Sequence, residues 1–88
     1  MTRKETLDRA AACVLQDREA QYGAPEDTFG RIAQMWSVYL AHSVQPHDVA
    51  VMMALLKVAR IAGGQAHDDN YVDLAGYAAC AAELAERE

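Results

Sequence analysis

Two basic side chains interrupt a strongly apolar stretch in the second half of the chain. Lys57 and Arg60 are three residues apart, so on a helix they share a face. Further on, Asp69 and Asp73 are four residues apart and also share a helical face. Lysine and arginine bind phosphate groups, and carboxylates hold Mg²⁺, which prefers oxygen ligands and bridges phosphates. These residues predict a site for a phosphorylated ligand.

Helices must position these side chains, because alanine, leucine, methionine, glutamate and arginine dominate the composition. Eighteen of the 88 residues are alanine, and alanine has the highest helix propensity. Proline and glycine divide the chain into four segments. We predict one all-α domain over residues 1–88, a four-helix up-down arrangement with helices at 3–20, 25–41, 46–62 and 70–87.

The short connections favour antiparallel neighbours. This topology brings the end of helix 1, the start of helix 2, the end of helix 3 and the start of helix 4 to one end of the bundle. We predict Asp69 and Asp73 as catalytic residues that, with Glu26, hold Mg²⁺. The predicted ligand-binding residues are Arg18, Tyr22, Gly23, Lys57, Arg60, Asn70 and Tyr77.

Structural roles compete with this interpretation. Glu26 lies in the first turn of helix 2, where an acidic side chain stabilises the helix dipole. Lys57 and Arg60 could instead form structural ion pairs with Asp73 and Asp69. The prediction of a site therefore rests on the convergence of several polar residues and not on one motif.

Helix 3 is apolar on every side. Twelve of the fourteen residues from 49 to 62 are apolar, and a helix of this kind must be buried all round. An 88-residue monomer offers few neighbours for such burial. We therefore expect a homo-oligomer in which a second copy completes the core.

Charge and composition argue against several classes of protein. The net charge is −5, and the chain has no basic run, which argues against direct DNA binding because that affinity depends on cations that neutralise phosphates. No apolar stretch is long enough to span a membrane. The two cysteines form no Cys-x-x-Cys pair and no signal peptide precedes them. We expect a cytoplasmic protein, inside the host cell.

Several short motifs carry a family resemblance. Tyr22-Gly23, then Leu56-Lys57-x-x-Arg60, then the run from Asp69 to Tyr77 (Asp-Asn-Tyr-Val-Asp-Leu-Ala-Gly-Tyr) resemble a family of small, mostly phage-encoded proteins of unknown function. That family is similar, more distantly, to the phage nucleotide-modification-associated domain. Both resemble the MazG-like all-α NTP pyrophosphohydrolases.

The resemblance implies a nucleotide-related function. MazG-like enzymes hold Mg²⁺ on Glu-x-x-Glu and Glu-x-x-Asp helix motifs and cleave an NTP between its α- and β-phosphates. In this chain Asn70 stands where the first glutamate of Glu-x-x-Asp is expected, and helix 3 has no first acidic motif. We expect a protein that binds an NTP, a dNTP or a related phosphorylated ligand, with Mg²⁺-dependent hydrolysis as an extension. The alternative is a non-catalytic helical module that binds a partner or sequesters a ligand.

Overall fold

A computed structural model describes residues 1–17 and 24–88, and its regular structure is entirely helical over these residues. The prediction of an all-α, four-helix fold is thereby confirmed. Over the described residues, helix 1 of the prediction divides into an α-helix and a following π-helical turn, and its predicted end at 18–20 lies outside them. The helices are α1 (Arg3–Ala12, then the π-helical turn Cys13–Asp17), α2 (Pro25–Leu40), α3 (Pro46–Ala62) and α4 (Asp68–Glu86).

Local signals explain where these helices begin. Thr2 caps α1, since its hydroxyl oxygen accepts a hydrogen bond of 3.0 Å from the backbone N–H of Glu5. Helices α2 and α3 both begin at a proline, whose missing N–H needs no partner at that position. At the start of α3, the carboxylate of Asp48 accepts a 2.9 Å hydrogen bond from the backbone N–H of Gln45.

Helices α3 and α4 form an antiparallel hairpin that organises the rest of the fold. The connection over residues 63–67 closes one end of it, which we call the loop end. The other end, which we call the open end, holds the first turn of α3 and the last turn of α4. There the backbone N–H of His47 donates a hydrogen bond of 2.9 Å to the carboxylate of Glu88.

The buried core lies towards the open end. Helix α2 packs there against the first half of α3 and the second half of α4, and Phe29 is fully buried at the centre. The Phe29 ring also packs at a tilt on Tyr77, with 6.2 Å between the ring centroids. The buried residues of this core are Phe29, Ala33, Val49, Ala50, Cys80, Ala81 and Leu84.

Helix α1 packs on α4 at the loop end. Arg9 lies beside Asp69 in the first turn of α4. Further along both helices, a Cβ atom on Gly76 would lie 3.0 Å from a methyl group of Val14. Helices α1 and α4 therefore run parallel to each other, whereas α3 and α4 are antiparallel. This close approach explains why a glycine stands in the middle of α4.

The outward side of α3 is not covered by any other helix of residues 1–17 and 24–88. Its inner residues Val49 and Ala50 are fully buried, whereas Leu55 keeps 59% of its surface exposed. The predicted burial of α3 on every side therefore does not occur within residues 1–17 and 24–88 of a single chain, and homo-oligomerisation stays a prediction. None of the helices in this described part has the length and apolar character needed to cross a bilayer.

Candidate functional site

Lys57 and Asp73 meet across the α3–α4 hairpin near the loop end. The Lys57 ammonium lies 3.1 Å from an Asp73 carboxylate oxygen, and the side chains are 15% and 40% exposed, respectively. Lys57 is thus a mostly buried cation, and an ionic contact strengthens where water is excluded. The structural ion pair considered as an alternative for Lys57 is present. Asp73 is the more exposed member of the pair.

Arg60 lies one helical turn beyond Lys57 and is exposed. Among the residues that the structure describes, no carboxylate pairs with it, so the predicted alternative pairing with Asp69 does not form. Over the described part of the chain, Arg60 is therefore available to an anion, whereas the neighbouring Lys57 is already neutralised by Asp73. A guanidinium group binds phosphate well because it presents two parallel N–H donors.

Asp69 is paired with a residue that the sequence did not single out. An Arg9 nitrogen donates a hydrogen bond of 3.0 Å to an Asp69 carboxylate oxygen, and a second Arg9 nitrogen lies 3.9 Å from Asp68. Arg9 precedes Asp69 by sixty residues. No spacing rule connects residues so far apart, and only the packing of α1 on α4 brings them together.

Asn70 and Tyr77 have structural contacts of their own. Asn70 is buried at 3% exposure, and its side-chain amide donates a hydrogen bond to the backbone carbonyl of Gln65. This bond closes the loop between α3 and α4. Tyr77 lies one helical turn beyond Asp73, and its ring packs against the core beside Phe29. Asn70 therefore shapes the loop end of α4 from within, whereas Tyr77 joins the core.

Glu26 lies at the open end, away from the other predicted metal ligands. Its carboxylate is 2.9 Å from the Arg87 guanidinium at the end of α4. Arg87 and Asp73 are fourteen residues apart on or beside α4, which is about 21 Å along a helix. The structure therefore does not bring Glu26 to Asp69 and Asp73. The backbone N–H of Glu26 itself and then Arg87 lower the pKa of this carboxyl group.

A second charged cluster at the open end was missed in the sequence. The His47 ring contacts the Glu88 carboxylate and lies 3.3 Å from the carboxylate of Asp48. The hydrogen bond to Glu88 is the main reason why the pKa of His47 is raised. His47 and Glu88 are forty-one residues apart, so no local motif could indicate the contact.

Three predicted ligand-binding residues, Arg18, Tyr22 and Gly23, lie outside the described residues, and their roles stay predictions. Within residues 1–17 and 24–88, no three His, Cys, Asp or Glu side chains group so that they could hold a metal ion. Asp69 and Asp73 each contact a cation from another helix. This donor set does not fit a resident Mg²⁺ ion, because the ion would have to compete with Arg9 and Lys57 for both carboxylates.

The fold and these charge clusters describe a small all-α domain built on a helical hairpin. Residues 5–85 match a domain family of unknown function, DUF6378, and the chain belongs to this family. No solved structure matches the chain.

Two phage proteins are similar to the chain over most of its length. The Gene 55 protein of Mycobacterium phage D29 is 38% identical over 80 residues, which are 91% of this chain and 53% of the phage protein. The Gene 55 protein of Mycobacterium phage L5 is 41% identical over 73 residues, or 82% of this chain and 47% of the phage protein. The chain thus spans about half the length of these curated relatives. The predicted resemblance to a phage family of unknown function is confirmed, whereas the similarity to MazG-like enzymes stays a prediction.

Proposed function

We propose that this domain binds a nucleotide or another phosphorylated small molecule beside Lys57 and Arg60. The observation that carries the proposal is the contrast between these two cations on one apolar helix. Lys57 is 15% exposed and neutralised by Asp73, whereas Arg60, one turn away, is exposed and has no ion-pair partner among the described residues. An anion that contacts Arg60 would also approach the half-exposed Asp73–Lys57 pair.

Phosphate is the anion that best suits this pair of cations. The guanidinium of Arg60 can donate two parallel hydrogen bonds to phosphate oxygens, whereas the ammonium of Lys57 is held by Asp73 and would contact the phosphate only if the ligand displaced that carboxylate. The net charge of −5 repels polyanions from the surface as a whole. We therefore expect a small ligand held locally and not a nucleic acid backbone.

The environment of the carboxylates favours binding over hydrolysis. Metal-assisted hydrolysis would need Asp69 and Asp73 free to hold Mg²⁺ or to orient water. Both are engaged by cations instead, at 3.0 Å from Arg9 and 3.1 Å from Lys57. This observation supports a domain that sequesters its ligand without turnover, and binding is expected to persist in EDTA.

The proposal is tested by thermal unfolding with a panel of NTPs and dNTPs, with Mg²⁺ and with EDTA. A ligand at 100 times its dissociation constant stabilises the fold by about 2.7 kcal/mol, which raises the Tm of a domain of this size by roughly 10 °C or more. The Arg60→Ala variant is expected to weaken binding by about tenfold or more. Arg31→Ala is the matched control, because Arg31 is also exposed and lies on α2.

A pyrophosphate-release assay on the same samples distinguishes nucleotide binding from nucleotide hydrolysis. We expect no turnover with bound ligand in place. Turnover that is lost in Asp73→Asn would establish the hydrolytic extension instead. If no nucleotide shifts the Tm of the unsubstituted chain, or if Arg31→Ala weakens binding as much as Arg60→Ala, the proposed site is wrong.

A further inference from the structure

The side of α3 that no other described helix covers carries a continuous apolar stripe. Val51, Leu55, Val58 and Ala62 repeat at intervals of four, three and four residues, which is the spacing of the contact positions when two helices pack along their length. All of these positions are exposed in the single chain. The stripe, which we call the outer stripe, consists of Val51, Met52, Leu55, Leu56, Val58, Ala59 and Ala62.

The outer stripe is as large as the largest apolar patch of a typical monomer, and such a patch is often an interaction site. Its five larger side chains are 43–59% exposed. Together the seven side chains expose on the order of 500 Å² of apolar surface, within the range of the largest patch on a typical monomer, about 300–600 Å². A two-fold contact buries such a stripe on both copies, on the order of 1,000 Å² in total, which is where specific interfaces begin.

We propose that the outer stripe is a dimer interface in which α3 packs antiparallel against α3 of a second copy. The self-complementary order of side-chain sizes along the stripe supports this arrangement. Large side chains at Val51 and Met52 lie towards its start, whereas alanines at 59 and 62 lie towards its end. In an antiparallel pair centred near Leu55, Val51 of one copy faces Ala59 of the other, so a larger side chain packs against a smaller one.

A parallel pair would instead place identical residues together. Asp48 would face Asp48 of the second copy at the start of the stripe, and like charges repel. The two helix dipoles would also point the same way, which is unfavourable, whereas they oppose each other in the antiparallel pair. The antiparallel arrangement puts its two-fold axis near Leu55, since Val51 and Ala59 lie four residues to either side.

Light scattering on a sizing column tests the proposal without any ligand, so its result is independent of the proposed nucleotide site. At about 100 µM chain, a concentration that populates a dimer with a micromolar dissociation constant, the unsubstituted protein is expected to have the mass of two chains. Leu55→Glu is expected to halve that mass. Leu7→Glu is the matched control, because Leu7 is similarly exposed, 62% against 59% for Leu55, but lies on α1.

Cysteine cross-linking tests the direction of the helices and does not depend on whether Leu55→Glu folds. Under oxidation, Leu55→Cys is expected to give a disulfide-linked dimer. Ala62→Cys is expected to stay uncrosslinked, because two copies of residue 62 would lie about 21 Å apart along antiparallel helices. The unsubstituted chain, with Cys13 half-buried and Cys80 buried, provides the background.

Three results would overturn the inference. A single-chain mass for the unsubstituted protein, with no cross-link through Leu55→Cys, would mean that another segment or another protein covers the stripe. A folded Leu55→Glu variant that keeps the mass of two chains would place the interface elsewhere. Efficient cross-linking through Ala62→Cys would show a parallel pair.

Discussion

The two ends of the α3–α4 hairpin hold the fold together by different means. The open end has the apolar core, with Phe29 of α2 fully buried among residues of α3 and α4. The loop end has less apolar burial and more polar contact, through the Lys57–Asp73 pair, the Arg9–Asp69 pair and the buried Asn70 amide. Stability therefore comes mainly from the open end. The loop end has polar groups that a ligand can reach without disturbing the core.

Removal of the central aromatic side chain is expected to have the largest effect. Phe29→Ala should lower the free energy of unfolding by about 3–5 kcal/mol, because it leaves a cavity at the open end. Urea denaturation measures this loss. Tyr39→Ala is the control on the same helix, since Tyr39 is 89% exposed, and it should change stability by less than about 0.5 kcal/mol. Equal effects of the two changes would mean that the core is not centred on Phe29.

Removing either partner of the Lys57–Asp73 pair at the loop end should lower the free energy of unfolding by less than Phe29→Ala, and by different amounts for the two partners. Asp73→Ala leaves the mostly buried Lys57 ammonium without its partner, and we expect a loss of about 2–3 kcal/mol, below the usual range for buried pairs because Asp73 is 40% exposed. Lys57→Met should cost less, since an apolar side chain of similar length suits the buried position and Asp73 stays partly solvated.

The exposed pair at the same end provides a comparison for this asymmetry. Asp69→Ala removes the contact with Arg9, whose side chain is 48% exposed while that of Asp69 is 84% exposed. We expect a loss of about 1 kcal/mol or less in the same urea measurement. If Asp69→Ala is as destabilising as Asp73→Ala, burial of Lys57 does not explain the effect.

Two glycines in helix interiors should respond differently to alanine. Gly30 on α2 has open space where a Cβ atom would stand, so Gly30→Ala should stabilise the domain by about 0.5–1 kcal/mol through helix propensity. Gly76→Ala should lose that gain, because its Cβ would lie 3.0 Å from a Val14 methyl group. Thermal unfolding of the two variants measures the difference. A similar gain in stability at both positions would show that α1 shifts at little cost to accommodate the added methyl group.

The smallest expected effect is a pH dependence at the open end. The contact with Glu88 raises the pKa of His47 above its ordinary value. The stabilisation by the His47–Glu88 contact is therefore fully present below the pKa of His47 in the unfolded chain, about 6.5. It is lost as the pH rises through the higher pKa of His47 in the folded chain. The Tm should therefore fall as the pH rises above about 6.5, and this fall should be smaller in Glu88→Gln than in the unsubstituted chain. His42→Ala, in the exposed α2–α3 connection, is the control and should keep the full dependence.

Local signals were sufficient to predict α2 and α3. The prolines at their first positions and Gly63 after α3 have clear steric effects, and the observed bounds agree with the predicted ones to within one residue. The capping box of Thr2 and Glu5 likewise marks the start of α1 by a local signal. These features depend on a few neighbouring residues, so sequence spacing is enough to find them.

The candidate site was only partly predictable, because its contacts depend on how helices pack. The Lys57–Asp73 pair follows from the antiparallel hairpin and was considered in advance. The sequence did not indicate Arg9, because only the packing of α1 on the first turn of α4 brings Arg9 to Asp69. Glu26 was expected near Asp73 because the prediction assumed a regular up-down bundle. Helix α2 instead packs its first turn near Arg87. Direction and crossing of helices are tertiary properties that periodicity does not encode.

The packing of α1 on α4 also has a consequence for the order of folding. The α3–α4 hairpin joins neighbours in the chain through a short connection, so little chain entropy is lost when it closes. The Arg9–Asp69 contact spans sixty residues, and closing a loop of that length is slower and entropically more expensive. Helix α1 is therefore expected to dock last and to open first, so its amide protons should exchange with deuterium before those of α3 and α4.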